Sequence, residues 1–284
     1  MDSSLSFDRE SNMTDHHYVF DGTKEQSELD RLRLLESAFD PQTRQRLENV
    51  GVSDGWHCLE VGAGAGSIMK WMSEKVGSTG TVVAVDTDTR FLPSSISSNT
   101  VIVKGDIRTV DLGRSRFDLV HGRYILLHIP EFASVLEKML LLLKPGGWLV
   151  FEEPDFSAAR GLVGLEDALL AFDRVSSAIE TMYKAIGIDH TAGLKIPKAL
   201  SALRIKNLFV DNAAPSSCGG SPIARMMGMS AGQLRERYIQ TKKCTGKDVD
   251  IYRTFTEDPG AWAIYYSTVC VSGQLEIETD GKQS

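Results

Sequence analysis

Short apolar runs alternate with amphipathic stretches through the middle of the chain. Five of these runs have the length and the β-branched content of buried strands. They occupy residues 58–61, 81–85, 101–103, 117–120 and 148–151. Strands that alternate with helices predict a parallel sheet with right-handed crossovers, in which ligands bind at the carboxyl ends of the strands.

Helical periodicity fills the spaces between these strands. One helix is marked by Ile68, Met72 and Val76, and a second, over residues 132–143, is ended by Lys144-Pro145-Gly146-Gly147. Residues 25–50 predict two further helices, because Asp40-Pro41 interrupts the pattern. A long helix is expected after Pro154. Its predicted apolar face consists of Leu165, Leu169, Phe172, Ile179, Tyr183 and Ile186.

The C-terminal part adds a sixth strand at 206–210, a helix at 222–241 and a seventh strand at 262–271. We therefore predict an α/β fold with a doubly wound, seven-stranded sheet that is mostly parallel, with an antiparallel last strand. A helical lid precedes this sheet and a helical insert follows its fifth strand. The predicted division is a flexible tail at 1–17, a cap or lid at 18–54, a cofactor-binding core at 55–156, and a C-terminal part at 157–284. That last part carries the substrate-pocket helices and the last two strands.

Composition narrows the class of partner. A net charge of -7 disfavours nucleic acid, because proteins that follow phosphate backbones carry clustered basic excess. The four cysteines are far apart and form no Cys-x-x-Cys pair, so we expect reduced thiols and no metal site. No apolar run has the length of a membrane span, and the first residues lack the features of a signal peptide. We expect a cytoplasmic protein whose partners are small molecules, and a homodimer is left open.

The first predicted strand ends in Glu60-Val61-Gly62-Ala63-Gly64-Ala65-Gly66 and leads directly into a helix. Glycines at such a turn let the backbone approach a bound ligand. A tight turn without a ligand is the alternative interpretation. The dinucleotide fingerprint needs glycine or alanine at position 67, where this chain has Ser67, so the turn fits an NAD site less well.

Acidic residues end the next two strands. Asp86, followed by Thr87, can accept hydrogen bonds from both hydroxyls of a ribose, and the alternative is a carboxylate that caps the next helix. Gly105-Asp106-Ile107 ends the third strand. A carboxylate beside an aliphatic side chain suits adenine, which offers an amino group and two apolar faces.

In this order, and with 117–123 and 144–150 behind them, these motifs resemble those of class I S-adenosylmethionine-dependent methyltransferases. Weaker similarity at Tyr18-Val19-Phe20 and at residues 219–225 points to a small-molecule, natural-product branch. The resemblance implies S-adenosyl-L-methionine as the cofactor, with Asp106 at the adenine amino group, Ile107 over the ring and Tyr18 in a lid. The implied cofactor-binding residues are Tyr18, Glu60, Gly62, Ala63, Gly64, Gly66, Asp86, Thr87, Gly105, Asp106, Ile107 and His121.

Methyl transfer needs chiefly alignment of the nucleophile, the methyl group and the sulfur, and a general base is optional. His121 and Arg123 follow the fourth strand, while Glu152 and Asp155 follow the fifth, so these four are the catalytic candidates. His121 is either a general base or a residue that lends its backbone to the amino acid end of the cofactor. His128 is interpreted as structural.

The resulting hypothesis is methyl transfer from S-adenosylmethionine to a small, hydrophobic metabolite of secondary metabolism. One alternative keeps the fold and the cofactor but catalyses cyclisation or rearrangement. The others are an NAD-dependent oxidoreductase and a binding protein without catalysis.

Overall fold

The structure is a computed structural model that describes residue 20 and residues 25–93, 97–203 and 205–277. The predicted tail at 1–17 and the lid residue Tyr18 lie outside the described residues. Ten strands are described: β1 His57–Val61, β2 Thr81–Asp86, β3 Thr100–Lys104, β4 Phe117–Arg123, β5 Leu143–Asp155, β6 Arg160–Val163, β7 Ile205–Ala213, β8 Ser217–Cys218, β9 Trp262–Ile264 and β10 Ser267–Leu275. Eight α-helices are described: α1 Glu25–Asn49, α2 Ser67–Val76, α3 Phe132–Leu142, α4 Glu166–Ala185, α5 Ile196–Ser201, α6 Pro222–Gln233, α7 Arg235–Gln240 and α8 Gly246–Glu257.

Seven strands form the main sheet in the order β3-β2-β1-β4-β5-β10-β7. The first five are parallel, and β10 runs antiparallel to both of its neighbours, β5 and β7. The predicted sheet with its antiparallel last strand is therefore confirmed. The strand order reverses beside β1, so the carboxyl ends of β1 and β4 form the crevice in which such folds bind ligands.

Apolar side chains cover both faces of this sheet. On one face, Met72 and Val76 of α2 pack with Leu47 of α1, and on the other, Leu136 and Met139 of α3 are fully buried. Each side chain of this size stabilises the fold by about 1.5–3 kcal/mol on complete burial. The apolar side chains whose spacing predicts these helices are thus the ones that pack the helices against the sheet.

A third apolar core lies in the helical lobe formed by α4, α6, α7 and α8 with part of α1. Phe172 of α4 contacts the rings of Tyr252 and Phe255 from α8 and of Tyr265, with centroids 5.3–5.7 Å apart. The small sheet β6-β9-β8 closes the side of this lobe. The lobe supplies the second wall of the cavity described below.

Several predicted element boundaries are wrong. Helix α1 continues through Pro41 as one helix, because Asp40 and Thr43, on either side of the proline, are both held by Arg123. Residues 222–241 form two helices that meet at Leu234. Residues 262–271 divide between two sheets, because β9 pairs with β6 and β8 whereas β10 pairs with β5 and β7.

The predicted apolar face of the long helix is also wrong at its ends. Leu165 precedes α4 and is 82% exposed, and Ile186 follows the helix and is 38% exposed. The buried face is centred on Phe172, Val175 and Ile179. Helix α8 and the small sheet were not predicted, since their short apolar runs carry no clear period.

Candidate active site

The carboxyl ends of β1 to β4 open into a cavity of about 680 Å³, within the usual range of small-molecule sites. Helix α1, the helical lobe and the segment after β5 form its other walls. Ten of the predicted site residues line this cavity. They are Glu60, Gly62, Ala63, Gly64, Asp86, Thr87, Gly105, Asp106, Ile107 and Arg123.

The glycine turn has the backbone conformation that its sequence predicts. Gly62 and Gly64 adopt positive φ angles of 71° and 57°, which residues with a Cβ rarely adopt. A Cβ at Gly62 would lie 2.1 Å from Cγ2 of Ile125, so this position has no room for a larger residue. Gly66, at φ 91°, starts α2 and faces Pro93 and Met69 rather than the cavity, so it shapes the turn without lining the site.

Asp86 ties the end of β2 to the glycine turn. Its Oδ2 accepts a hydrogen bond of 3.0 Å from the Gly64 backbone N–H, and its Oδ1 accepts one of 2.9 Å from Asp88. Burial raises the pKa of the Asp86 carboxyl against these two donors. Each oxygen retains a second lone pair for a ligand hydroxyl. The capping role belongs to Asp88, which accepts from the Arg90 N–H at the turn Thr89–Phe91.

The end of β3 places a carboxylate beside an apolar surface. Ile107 is buried and lines the cavity together with Gly105. Burial would raise the pKa of Asp106, but hydrogen bonds of 2.6–2.8 Å from the Arg108 side chain and backbone hold it below its ordinary value.

His121 is not at the cavity surface, so its predicted role as general base is wrong. It is fully buried between two carboxylates: Nδ1 lies 2.6 Å from Oε2 of Glu60, and Nε2 lies 3.6 Å from Oε1 of Glu152. Burial alone would lower the pKa of His121, but these carboxylates raise it to about 9. A histidine that is already protonated at neutral pH cannot accept a proton.

Glu152 and Asp155 also lie outside the cavity lining, contrary to their prediction as catalytic candidates. Glu152 accepts a hydrogen bond of 2.7 Å from Arg46 of α1, and Asp155 accepts from the backbone N–H and hydroxyl of Ser157. The physical reason is strand length. Strand β4 extends to Arg123 and β5 to Asp155, so residues 121, 152 and 155 lie within the sheet rather than after it.

Arg123 is the one catalytic candidate that lines the cavity. Its guanidinium donates to the Thr43 hydroxyl at 2.8 Å and to the Asp40 carboxylate at 3.0 Å, both on α1. The Asp40 carboxylate also accepts from the Ser67 hydroxyl, and Glu36 accepts from the Ser67 backbone N–H. These bonds attach α1 to the sheet and to the glycine turn at the same time.

The sequence predicted that C-terminal helices form the remaining wall of the cavity, but not which residues line it. This wall is apolar and aromatic, and it is assembled from α4, α6, α7, the segment after β4 and the segments beside β5 and β10. Its residues include Tyr124, Leu127, Phe156, Ile179, Tyr183, Met226, Met227, Tyr238 and Tyr266. These side chains are far apart in sequence, and no local motif connects them.

His128, interpreted from the sequence as structural, lines the cavity. It ends the turn Leu126–His128. The buried Glu153 carboxylate accepts hydrogen bonds of 2.8–3.1 Å from the backbone N–H groups of Ile125, Leu126 and Leu127. Burial and the positive charge of Arg31 lower the pKa of His128 to about 4, so its imidazole is neutral at neutral pH. Arg31 itself pairs with Glu28 at 2.7 and 2.9 Å, and both residues line the cavity. The sequence signal that could have placed His128 in the site is its position shortly after the fourth strand.

No helix in the described ranges has both the length and the apolar character needed to cross a bilayer.

A family model described as a methyltransferase domain matches residues 59–151, which run from β1 through most of β5. Methyltransferase str2 of Strobilurus tenacellus is 26% identical over 180 residues, which are 60% of this chain and 62% of that protein. Methyltransferase str3 of the same organism is 26% identical over 212 residues, or 71% of this chain and 74% of that protein.

Among solved structures, phosphoethanolamine N-methyltransferase 2 of Haemonchus contortus with S-adenosyl-L-methionine superposes with a TM-score of 0.53 and 16% identity. The match covers 83% of this chain and 52% of that one, and at this identity it bears on the fold alone. The NAD-dependent alternative gains no support from these matches. The chain thus contains a methyltransferase domain at residues 59–151, and its relatives and fold are similar to those of class I S-adenosylmethionine-dependent methyltransferases.

Proposed function

We propose that this protein transfers the methyl group of S-adenosylmethionine to a small, hydrophobic metabolite of secondary metabolism. The observation that carries the proposal is one cavity with two chemically different halves. The glycine turn, Asp86 and Asp106 line a polar half, whereas the aromatic and methionine side chains of the helical lobe line the other. A methyl donor and an apolar acceptor can therefore occupy the same water-poor space.

Each part of S-adenosylmethionine has a matching residue in the polar half of the cavity. We assign Asp86 to the ribose hydroxyls, Asp106 to the adenine amino group and Ile107 to a face of the adenine ring. Gly62 and Gly64 have no side chain, so a ligand can approach the backbone closely at these two positions. When bound, S-adenosylmethionine supplies an electrophilic methyl group on a positively charged sulfur.

The apolar half suits a flat, largely uncharged acceptor. Tyr183 and Tyr238 present aromatic surface, and burial raises the pKa of Tyr183 to about 12, so its phenol stays neutral. Met226 and Met227 add flexible side chains that adapt to ligands of different shape. These aromatic and methionine side chains carry no charge, which favours burial of an apolar ring over binding of a free ion.

We assign His128 as the general base for an acceptor that carries a hydroxyl group. Its neutral imidazole takes the hydroxyl proton while the acceptor oxygen bonds to the methyl carbon and the carbon–sulfur bond breaks. The products are the methyl ether, S-adenosylhomocysteine and a protonated His128. Arg31 lies in the same cavity, where its positive charge stabilises the developing oxyanion.

Calorimetry with S-adenosylmethionine tests the cofactor assignment. Asp86→Ala removes the two carboxylate oxygens at the ribose position, so we expect at least a tenfold rise in Kd. Asp111→Ala is the matched control, because Asp111 is an exposed turn residue that bonds only the Gly113 backbone N–H. Equal affinities of the two variants would remove Asp86 from the site, and a wild-type protein that does not bind would refute the proposal.

Incubation with a labelled methyl donor and a host metabolite extract identifies the acceptor. Mass spectrometry is expected to detect a labelled product one methyl group heavier than its precursor. A protein that binds the donor but yields a rearranged, unmethylated product would instead favour the cyclisation alternative. The cytoplasmic location stays a prediction of the sequence.

A further inference from the structure

A chain of alternating charges runs from the cofactor cavity through the sheet to its far edge. Glu60, which lines the cavity, contacts His121 on β4, and His121 contacts Glu152 on β5. Arg46 of α1 then donates to Glu152 at 2.7 Å and to Asp211 on β7 at 3.2 Å. Five ionisable side chains from five elements thus lie in one row, and the methyl transfer proposed above assigns a role to none of them.

The geometry at His121 requires a proton on both ring nitrogens. Nε2 of His121 and Oε1 of Glu152 are buried, have no hydrogen-bond partner in the described part of the chain, and lie 3.6 Å apart. Nδ1 meets the Glu60 carboxylate on the other side at 2.6 Å. A neutral imidazole would direct a lone pair at one of these carboxylates, whereas an imidazolium presents an N–H group to each of them.

Burial makes this arrangement costly unless every charge has a partner. Glu60, His121 and Glu152 are at most 3% exposed. Two carboxylates in such a site repel one another, and a buried ion that loses its partner is strongly destabilised. The imidazolium therefore balances the charge of Glu60 from within the sheet, while Glu60 itself belongs to the cavity lining.

We propose that His121 is a positioning residue that holds the Glu60 carboxylate toward the ammonium group at the amino acid end of the cofactor, and that Arg46 couples this contact to helix α1. The inference rests on the proposed function, because it assumes that the cavity binds S-adenosylmethionine. Helix α1 also lines the cavity through Leu32 and Glu36. The same helix thus closes the site and completes the row of charges.

The test compares cofactor affinity between two matched histidine variants. His121→Asn keeps an N–H group near the position of Nδ1 but removes the charge and the contact with Glu152. We expect its Kd for S-adenosylmethionine to rise at least tenfold. His57→Asn is the control, because His57 lies at the opposite end of β1 from the cavity, and its Kd is expected to stay within twofold of wild type. Arg46→Gln is expected to raise the Kd about threefold to tenfold.

A spectroscopic measurement on the wild-type protein covers the case in which the His121 variant does not fold. Nitrogen NMR of histidine-labelled protein at pH 7.5 is expected to show His121 with both ring nitrogens protonated. Its resonances are expected to shift when S-adenosylmethionine is added, although His121 does not line the cavity. A neutral His121, or one that does not respond to the cofactor, overturns the proposal.

The outcomes separate this inference from the function on which it rests. If the wild-type protein does not bind S-adenosylmethionine, the proposed function fails. If the wild-type protein binds it and His121→Asn binds it equally well, the positioning role alone fails.

Discussion

Two histidines seven residues apart differ in charge at neutral pH, because His121 is positively charged and His128 is neutral. Glu60 and Glu152 raise the pKa of His121 to about 9 against the effect of burial, whereas burial and Arg31 lower the pKa of His128 to about 4. Both imidazoles are buried, so neighbouring charge decides the difference. The neutral histidine faces the cavity and the charged one lies behind it.

Replacement of His128 by Asn is expected to lower kcat for a hydroxyl acceptor by about 10²–10⁴, the usual contribution of a positioned general base. The Kd for S-adenosylmethionine is expected to stay within about threefold of wild type, because the cofactor residues are unchanged. Steady-state kinetics with the identified acceptor, together with calorimetry, measure both quantities. A kcat equal to that of the control His57→Asn would show that no base acts at this position.

At the scale of elements, α1 connects parts of the protein that lie far apart in sequence. It holds the N-terminal turn of α2 through Glu36 and Asp40, and it is held by Arg123 of β4. Asp40 and Arg123 are nearly buried, with 11% and 8% of their side chains exposed. Removing one partner of such a pair leaves a nearly buried charge without compensation, so the position of α1 depends on this contact.

Arg123→Met keeps the bulk of the side chain but leaves Asp40 and Thr43 without their guanidinium donor. We expect it to destabilise the docked position of α1 by about 1–3 kcal/mol, the cost of an unsatisfied buried group. Hydrogen exchange followed by mass spectrometry is expected to show faster exchange in peptides of α1. Arg33→Met, at an exposed position of the same helix, provides the comparison. Identical exchange in the two variants would mean that Arg123 does not hold the helix.

At the scale of the whole molecule, the buried His121 makes stability depend on pH. Its folded pKa of about 9 lies above the ordinary value of 6.5, so between these values the folded protein binds a proton that the unfolded chain lacks. The stabilisation is fully present below about pH 6.5 and is lost as the pH rises through about 9. Burial also raises the pKa of Glu153 to about 7. The stability lost when Glu153 gives up its proton is lost as the pH rises to about 7, below the range in which His121 titrates.

We therefore expect the free energy of unfolding of the wild-type protein to fall between pH 7.5 and pH 9. Urea denaturation at the two pH values measures the change. His121→Asn lacks the titrating group and is expected to show a smaller fall, while His57→Asn is expected to behave as wild type. A fall of the same size in both variants would assign the pH dependence to another group.

The sequence by itself was sufficient for the features that depend on neighbouring residues. The five parallel strands follow from short apolar runs, and the polar half of the cavity follows from motifs that end those strands, such as Gly62–Gly64, Asp86 and Asp106. Because carboxyl ends of adjacent parallel strands meet at one edge of a sheet, local position alone brings these residues together. The cofactor-binding half was therefore predictable.

The tertiary structure decided which charged groups reach the cavity and what forms its apolar wall. Strands β4 and β5 run past their predicted ends, which places His121 and Glu152 inside the sheet and leaves His128 at the surface of the site. The length of a strand depends on its pairing with neighbouring strands, and a local sequence pattern does not predict that pairing. The aromatic wall joins residues from Tyr124 to Tyr266, and only packing of the helical lobe against the sheet brings them within one cavity.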